Sequence, residues 1–319
     1  MSSDALQKVL AQFIETLRVR RLSASTIEAR RRAVDRFFQH LTDVGVEDVR
    51  AVTRQHVRDY QEAMMTCGNY TVSSVHVHLI SLRRLFEHLE NADAILINPC
   101  AGLRLPKRGD RLPRTVLTLP QVKAILKQPD TQTPKGIRDR AILELFYSTG
   151  LRVAEMAALT VHDVDPKNGF ARVNQGKGGK DRVTPIGQTA CRYVAEYLKE
   201  VRSQWAQDQR EERALWLSGY APHRPLKKQL ITVMVRDYAR AAGIAQHVTP
   251  HVWRHTCATH LVANGGNLAY VQRLLGHRRL ATTQIYTRVA VPEIKAMYKK
   301  AGPKIRQTKA PRPLNRRTR

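Results

Sequence analysis

The sequence predicts a mainly α-helical fold with one small β-hairpin, divided into two domains. Three observations carry that expectation. Apolar residues recur at spacings of three and four through the first hundred positions. A stretch rich in proline, glycine and arginine then interrupts the pattern over 98–118. Beyond it the helical spacing returns, except between Phe170 and Ile186, where two short runs flank a glycine-lysine turn.

The elements follow in order. Leu6, Val9, Leu10, Phe13, Ile14 and Leu17 form one apolar stripe and predict a first helix. Ser23 to Ser25 offers an N-cap, and Ile27, Val34, Phe37, Phe38 and Leu41 mark a second helix whose other face carries Arg30, Arg31, Arg32 and Arg36. A third is expected over Arg54 to Met65. A fourth follows Asn69-Tyr70-Thr71, with Val72, Val75, Leu79, Leu82, Leu85, Phe86 and Leu89 facing inward. Residues 1–97 thus read as a small all-helical domain of four helices. Residues 98–118 contain Pro99, Pro106 and Pro113 among Arg104, Lys107, Arg108, Arg111 and Arg114, and read as a basic linker lying against phosphates. The second domain, 119–301, opens with a helix near Leu119-Pro120. A helix through Ser148 is broken at Thr149-Gly150, and a helical pattern resumes over Leu151 to Leu159. Strands are expected at 170–173 and 182–186, and further helices over Leu230 to Ala242, Thr256 to Asn264 and Leu268 to Leu275. The residues 302–319 form a basic tail.

Composition narrows the function. Among 319 residues, 54 are Lys or Arg and 27 are Asp or Glu, a formal charge of +27. A field of that sign attracts polyanions, and nucleic acid leads because each neutralised phosphate releases counterions. With 42% hydrophobic residues the chain has enough apolar material for real cores and is not a disordered polycation. No run of about 18 apolar residues exists to span a bilayer. Met1-Ser2-Ser3-Asp4 does not begin a secretory signal, and the four widely spaced cysteines suit reduced thiols, so the expected location is the cytoplasm. The histidines show no ligand spacing; His76 and His78, two apart on a helix, face different ways and make a poor metal pair. No metal, cofactor or small-molecule substrate is called for.

Six polar residues stand where helix packing does not require them: Arg152 after Thr149-Gly150-Leu151, Lys177 at the hairpin tip, His251 and Arg254 three apart on one helical face, His277 after Leu274-Leu275-Gly276, and Tyr286 nine residues later. Metal-free phosphodiester cleavage needs these types. Two guanidinium forks match the non-bridging oxygens of a phosphate. A lysine on a hairpin can protonate a leaving sugar oxygen. One histidine can accept the nucleophile's proton while another holds the phosphate. A tyrosine can attack phosphorus and store the bond energy as an ester. Singly, each has a plainer reading as a solvated arginine, a turn lysine or a packed tyrosine, and Lys180 rivals Lys177.

Taken together and in this order, Thr149-Gly150-Leu151-Arg152, Gly176-Lys177-Gly178, His251-x-x-Arg254-His255, Leu274-Leu275-Gly276-His277 and Tyr286 resemble the tyrosine recombinase, or phage-integrase, family, and in particular its short bacterial Xer-like members. The resemblance covers nearly the whole chain. It implies a helical, SAM-like core-binding domain followed by a tyrosine-recombinase catalytic domain. It implies that Arg152 and Arg254 clamp the scissile phosphate, Lys177 acts as general acid, His251 assists as acid/base, His277 hydrogen-bonds the phosphate, and Tyr286 forms a 3′-phosphotyrosyl link. Glu155, one turn after Arg152, resembles the family's acidic residue that orients the arginine. It further implies four protomers, or a mixture with a second recombinase, acting on two double-stranded DNA sites through a Holliday junction. The reaction would serve integration, excision or transposition of a mobile element, or dimer resolution. A helix over Val291 to Ala301 could pack into a neighbouring protomer. Trp253 departs from the smaller residue usual at its position. A catalytically silent DNA-binding regulator and a type IB topoisomerase remain the competing readings.

Overall fold

The computed structural model describes residues 4–106, 116–174, 181–207 and 212–275. The chain divides into two compact units, with the break between Leu112 and Pro113.

The first unit holds α1 (Asp4–Val19), α2 (Ala24–Asp43), a short 3-10 turn at Val49–Ala51, α3 (Arg54–Thr66) and α4 (Val72–Asn91). Hydroxyl caps start these helices: the side chains of Ser23, Thr53 and Thr71 accept the backbone N–H three residues on. The apolar stripes converge as expected. Phe13, Phe37, Phe38 and Phe86 are fully buried, and the rings of Phe37 and Phe86 meet edge-on at 6.1 Å. His78 is occupied by the Tyr60 hydroxyl at 2.8 Å. The chain leaving α4 stays on this unit: Cys100 is buried, and Leu103 and Leu105 lie against the same core. Residues 98–105, read from sequence as the start of a basic linker lying against phosphates, are therefore partly core. Pro99 and Gly102 stop the helix, but the apolar side chains between them still find cover.

The second unit is built around α6 (Pro134–Thr149), from Gly136 onward buried on every side. That is why its sequence shows no single apolar stripe. Its buried charges are all partnered. Arg138 donates to Asp139 and to the Leu217 carbonyl, and Asp139 also accepts from the Tyr238 hydroxyl. Arg140 donates to Glu144 and to the Leu126 carbonyl. Around α6 lie α5 (Leu119–Leu126), α7 (Val153–Ala158), α8 (Gln188–Glu196), α10 (Lys228–Ala241) and α11 (Pro250–Ala263). A π-helical turn at Tyr197–Arg202 carries α8 on into α9 (Ser203–Trp205). Two strands expected from sequence, now β2 (Phe170–Val173) and β3 (Arg182–Pro185), pair antiparallel. A further two-residue strand, β1 (Val164–Asp165), extends them to a three-stranded sheet in the order β1-β2-β3. Two residues are too few to show a period, so β1 is invisible in the sequence.

Two helix starts differ from expectation. The segment 151–159 becomes helical only at Val153, because Gly150 takes a left-handed conformation (φ 60°) and Arg152 is extended (ψ 151°). The helix expected from Thr256 begins at Pro250, with Thr249 as its cap and proline at its first position, where no N–H is needed. Trp253 is wholly buried in the core of this unit. The third cluster, Cys257, Leu261, Val271, Leu274 and Leu275, joins α11 to α12 (Leu268–Leu275). Among the described residues no helix is long and apolar enough to cross a membrane.

Candidate active site

The site grows from the break after α6. Gly150 ends that helix, and a Cβ there would come within 2.6 Å of Leu275 Cδ2 and 3.3 Å of Cys257 Sγ. Only glycine fits both the backbone and the space. The turn that follows delivers Arg152 to the start of α7. There Glu155 folds back: its Oε2 accepts the Arg152 backbone N–H at 2.9 Å, and its Oε1 accepts Arg152 Nη1 at 2.7 Å. The Arg152 side chain keeps 29% of its surface exposed, whereas that of Glu155 keeps 7%.

Arg254 approaches from α11. It is 5% exposed and donates from Nη1 to the Gly150 carbonyl at 2.7 Å and from Nη2 to the Leu275 carbonyl. Burial, and secondarily the nearby charge of Arg152, pull its pKa down to about 10. His251 sits in the first turn of the same helix, exposed, three residues before Arg254.

Arg182, at the start of β3, was not singled out from sequence. Its Nη1 and Nη2 donate to Glu155 Oε1 and Oε2 at 3.0 and 2.7 Å, and its Nε donates to the Leu274 carbonyl at 3.1 Å. Burial alone would raise the Glu155 pKa, but the hydrogen bonds from Arg182 and Arg152 outweigh it and hold the carboxyl at about 2. The sequence signal was a lone arginine opening a strand, which reads as a surface residue; its partners come from α7 and α12, and no local pattern shows that.

The structure thus brings Arg152, Glu155 and Arg254 together and adds Arg182. Two of these guanidiniums share the Glu155 carboxylate, and with Arg254 held on backbone carbonyls beside them the group of four carries a net charge of +2. Such a group matches a phosphodiester, which gains negative charge on its oxygens as phosphorus becomes five-coordinate. Lys177, His277 and Tyr286 lie outside the described residues. Gly276-His277 directly follows the Leu274 and Leu275 carbonyls that Arg182 and Arg254 hold. His260, near the site in sequence, serves the fold: its ring nitrogen meets the Tyr147 hydroxyl at 2.8 Å.

Comparison with known proteins gives the same picture. Residues 115–293 match the phage integrase family, and residues 9–95 match the phage integrase N-terminal SAM-like domain. The tyrosine recombinase XerC 2 of Ralstonia nicotianae is 37% identical over 93% of this chain and 86% of its own length. The tyrosine recombinase XerD of Listeria monocytogenes is 34% identical over 94% of this chain and 100% of its own. A lambda integrase tetramer bound to a Holliday junction shares the fold, with a TM-score of 0.67 at 18% identity over 90% of this chain and 81% of that one. With one family matched over more than half its residues and such relatives along nearly all of it, the chain belongs to the phage integrase family and is a tyrosine site-specific recombinase.

Proposed function

We propose that this chain cuts and rejoins double-stranded DNA at specific sites, with Tyr286 as nucleophile and Arg152 and Arg254 as the clamp on the scissile phosphate. The observation that carries the reading is the buried Arg254 beside a half-open Arg152, both set by hydrogen bonds to backbone or to Glu155, with more positive charge than the single carboxylate neutralises. The Tyr286 oxygen attacks phosphorus, the bond from phosphorus to the 5′ oxygen breaks, and Lys177 supplies the proton that the departing oxygen takes. His251 receives the proton released by tyrosine, and His277 donates to a non-bridging oxygen. Strand exchange is the reverse reaction: the 5′ hydroxyl of a second duplex attacks the phosphotyrosyl ester, breaks it and returns the proton to tyrosine. The ester conserves the energy of the original bond, so no nucleotide is consumed.

The first unit binds the duplex as the core-binding domain, and the residues after 105 join it to the catalytic unit of 119–301. Relatives along the whole chain and the Holliday-junction tetramer of lambda integrase support four protomers on paired sites as the working assembly, with or without a second recombinase. The extra basic residues after Glu293 favour integration, excision or transposition of a mobile element over resolution of chromosome dimers. The test is a suicide-substrate trap: nicked duplexes from the DNA flanking this gene, in the presence of chelator, are mixed with the protein and run on a denaturing gel. A covalent protein–DNA band that Tyr286→Phe abolishes is expected. An undiminished band in that variant would refute the assignment.

A further inference from the structure

Arg182 has no role in the scheme above, yet its whole guanidinium is engaged at the site. It opens β3, five positions after Lys177, and is 13% exposed. All three of its nitrogens are used, on two different segments. Two form a bidentate pair with Glu155 on α7, and the third holds the Leu274 carbonyl at the end of α12. Glu155 carries Arg152 on the same two oxygens. A continuous chain of charge-assisted hydrogen bonds therefore runs from the end of α12 through Arg182 and Glu155 to Arg152. Arg254 ties the same region from the other side, between the Gly150 and Leu275 carbonyls.

We propose that Arg182 is a positioning residue for strand cleavage: it divides Glu155 between two guanidiniums, so that Arg152 is oriented without being neutralised, and it fixes the end of α12 from which the chain continues to His277. The proposal rests on the reading of Arg152 as a phosphate clamp. Its physical content is a matter of charge and shape. With Arg182 in place, each oxygen of Glu155 is shared, and the group keeps its net charge of +2 for an incoming phosphate. Without it, the carboxylate belongs to Arg152 alone, and a closed pair competes with the phosphate for the same donors. A lysine at 182 would restore charge but not the planar fork that reaches two oxygens and a carbonyl at once.

The test uses the full-length chain and its Arg182→Lys, Arg182→Gln and Glu155→Gln variants. Three quantities are measured: amide hydrogen exchange without DNA, affinity for the nicked flanking duplex, and the single-turnover rate of covalent complex formation on it. Arg182→Lys is expected to keep DNA affinity within about twofold while cleavage slows by about 100-fold, the scale set by a small misplacement of a reacting group. Exchange is expected to rise at the end of α12 and the first turn of α7 but not along α6, which reports that the fold is intact. Combined with Glu155→Gln, the lysine variant is expected to lose much less than the product of the two separate losses, because both break one chain. The proposal is overturned by a lysine variant that cleaves within about threefold of wild type, by unchanged exchange at α7 and α12, or by a rate loss matched by an equal loss of DNA affinity. A wild-type chain that forms no covalent complex would count against the functional reading instead; the exchange data, which need no DNA, would still uphold or overturn the link that Arg182 makes between α7 and α12.

Discussion

Glu155 concentrates the chemistry of the residue scale. A carboxylate buried to 7% exposure survives because four donors from two arginines surround it. Its pKa of about 2 lies below the ordinary 4.5, so the folded chain binds fewer protons than the unfolded one between those values. The sign is then fixed. The stabilisation is complete above about pH 4.5 and disappears as pH falls through about 2, with a full size on the order of 3 kcal/mol. Glu155→Gln is expected to be less stable than wild type at neutral pH, with the gap narrowing as acid protonates the native carboxyl. Urea unfolding at several pH values measures this, and a gap independent of pH would contradict it. At this scale the sequence was readable wherever spacing alone sets geometry. Arg152 with Glu155, and His251 with Arg254, lie one helical turn apart. Arg182 was not readable, because its partners lie 27 and 92 positions away.

At the scale of elements, the break between α6 and α7 makes the site. The dipeptide Thr149-Gly150 was legible as an interruption, and the left-handed turn at Gly150 shows why it must be glycine. Gly150→Ala forces a side chain into a conformation that costs an L-residue about 1–2 kcal/mol. It also pushes on Leu275, whose carbonyl anchors Arg254. The expected outcome is a stability loss of at least that size together with slower covalent complex formation, read from urea midpoints and the trapping assay. An alanine variant with wild-type stability and rate would sink this account of the turn. The helices of the first unit were legible because each buries one face, and the helix start at Pro250 was missed although Thr249-Pro250 is a cap signal. The central α6 was only partly legible. It is buried all round, and its charges pair with residues from α5, α10 and the 217 loop, so its sequence has no periodic face.

For the whole molecule, the governing quantity is a charge of +27 over 319 residues. If this charge neutralises phosphates along a duplex, raising salt from about 50 to about 200 mM is expected to weaken DNA binding at least about 1,000-fold, as for six or more phosphate contacts. Fluorescence anisotropy over a salt series measures the slope, and a change below about tenfold would show that the basic surface is not a phosphate contact. The division into a helical unit and a catalytic unit was legible from the proline-rich break and the change of pattern beyond it. The exact end of the first unit was not, since Cys100, Leu103 and Leu105 join its core from within a segment whose composition reads as linker. The claim on which everything else depends is that the chain becomes covalently joined to DNA through one tyrosine. The most direct measurement is mass spectrometry of the trapped, nuclease-trimmed adduct. The expected product is a peptide containing Tyr286 that bears a nucleotide through its 3′ phosphate. A 5′ linkage, or a nucleotide on any other residue, would contradict it.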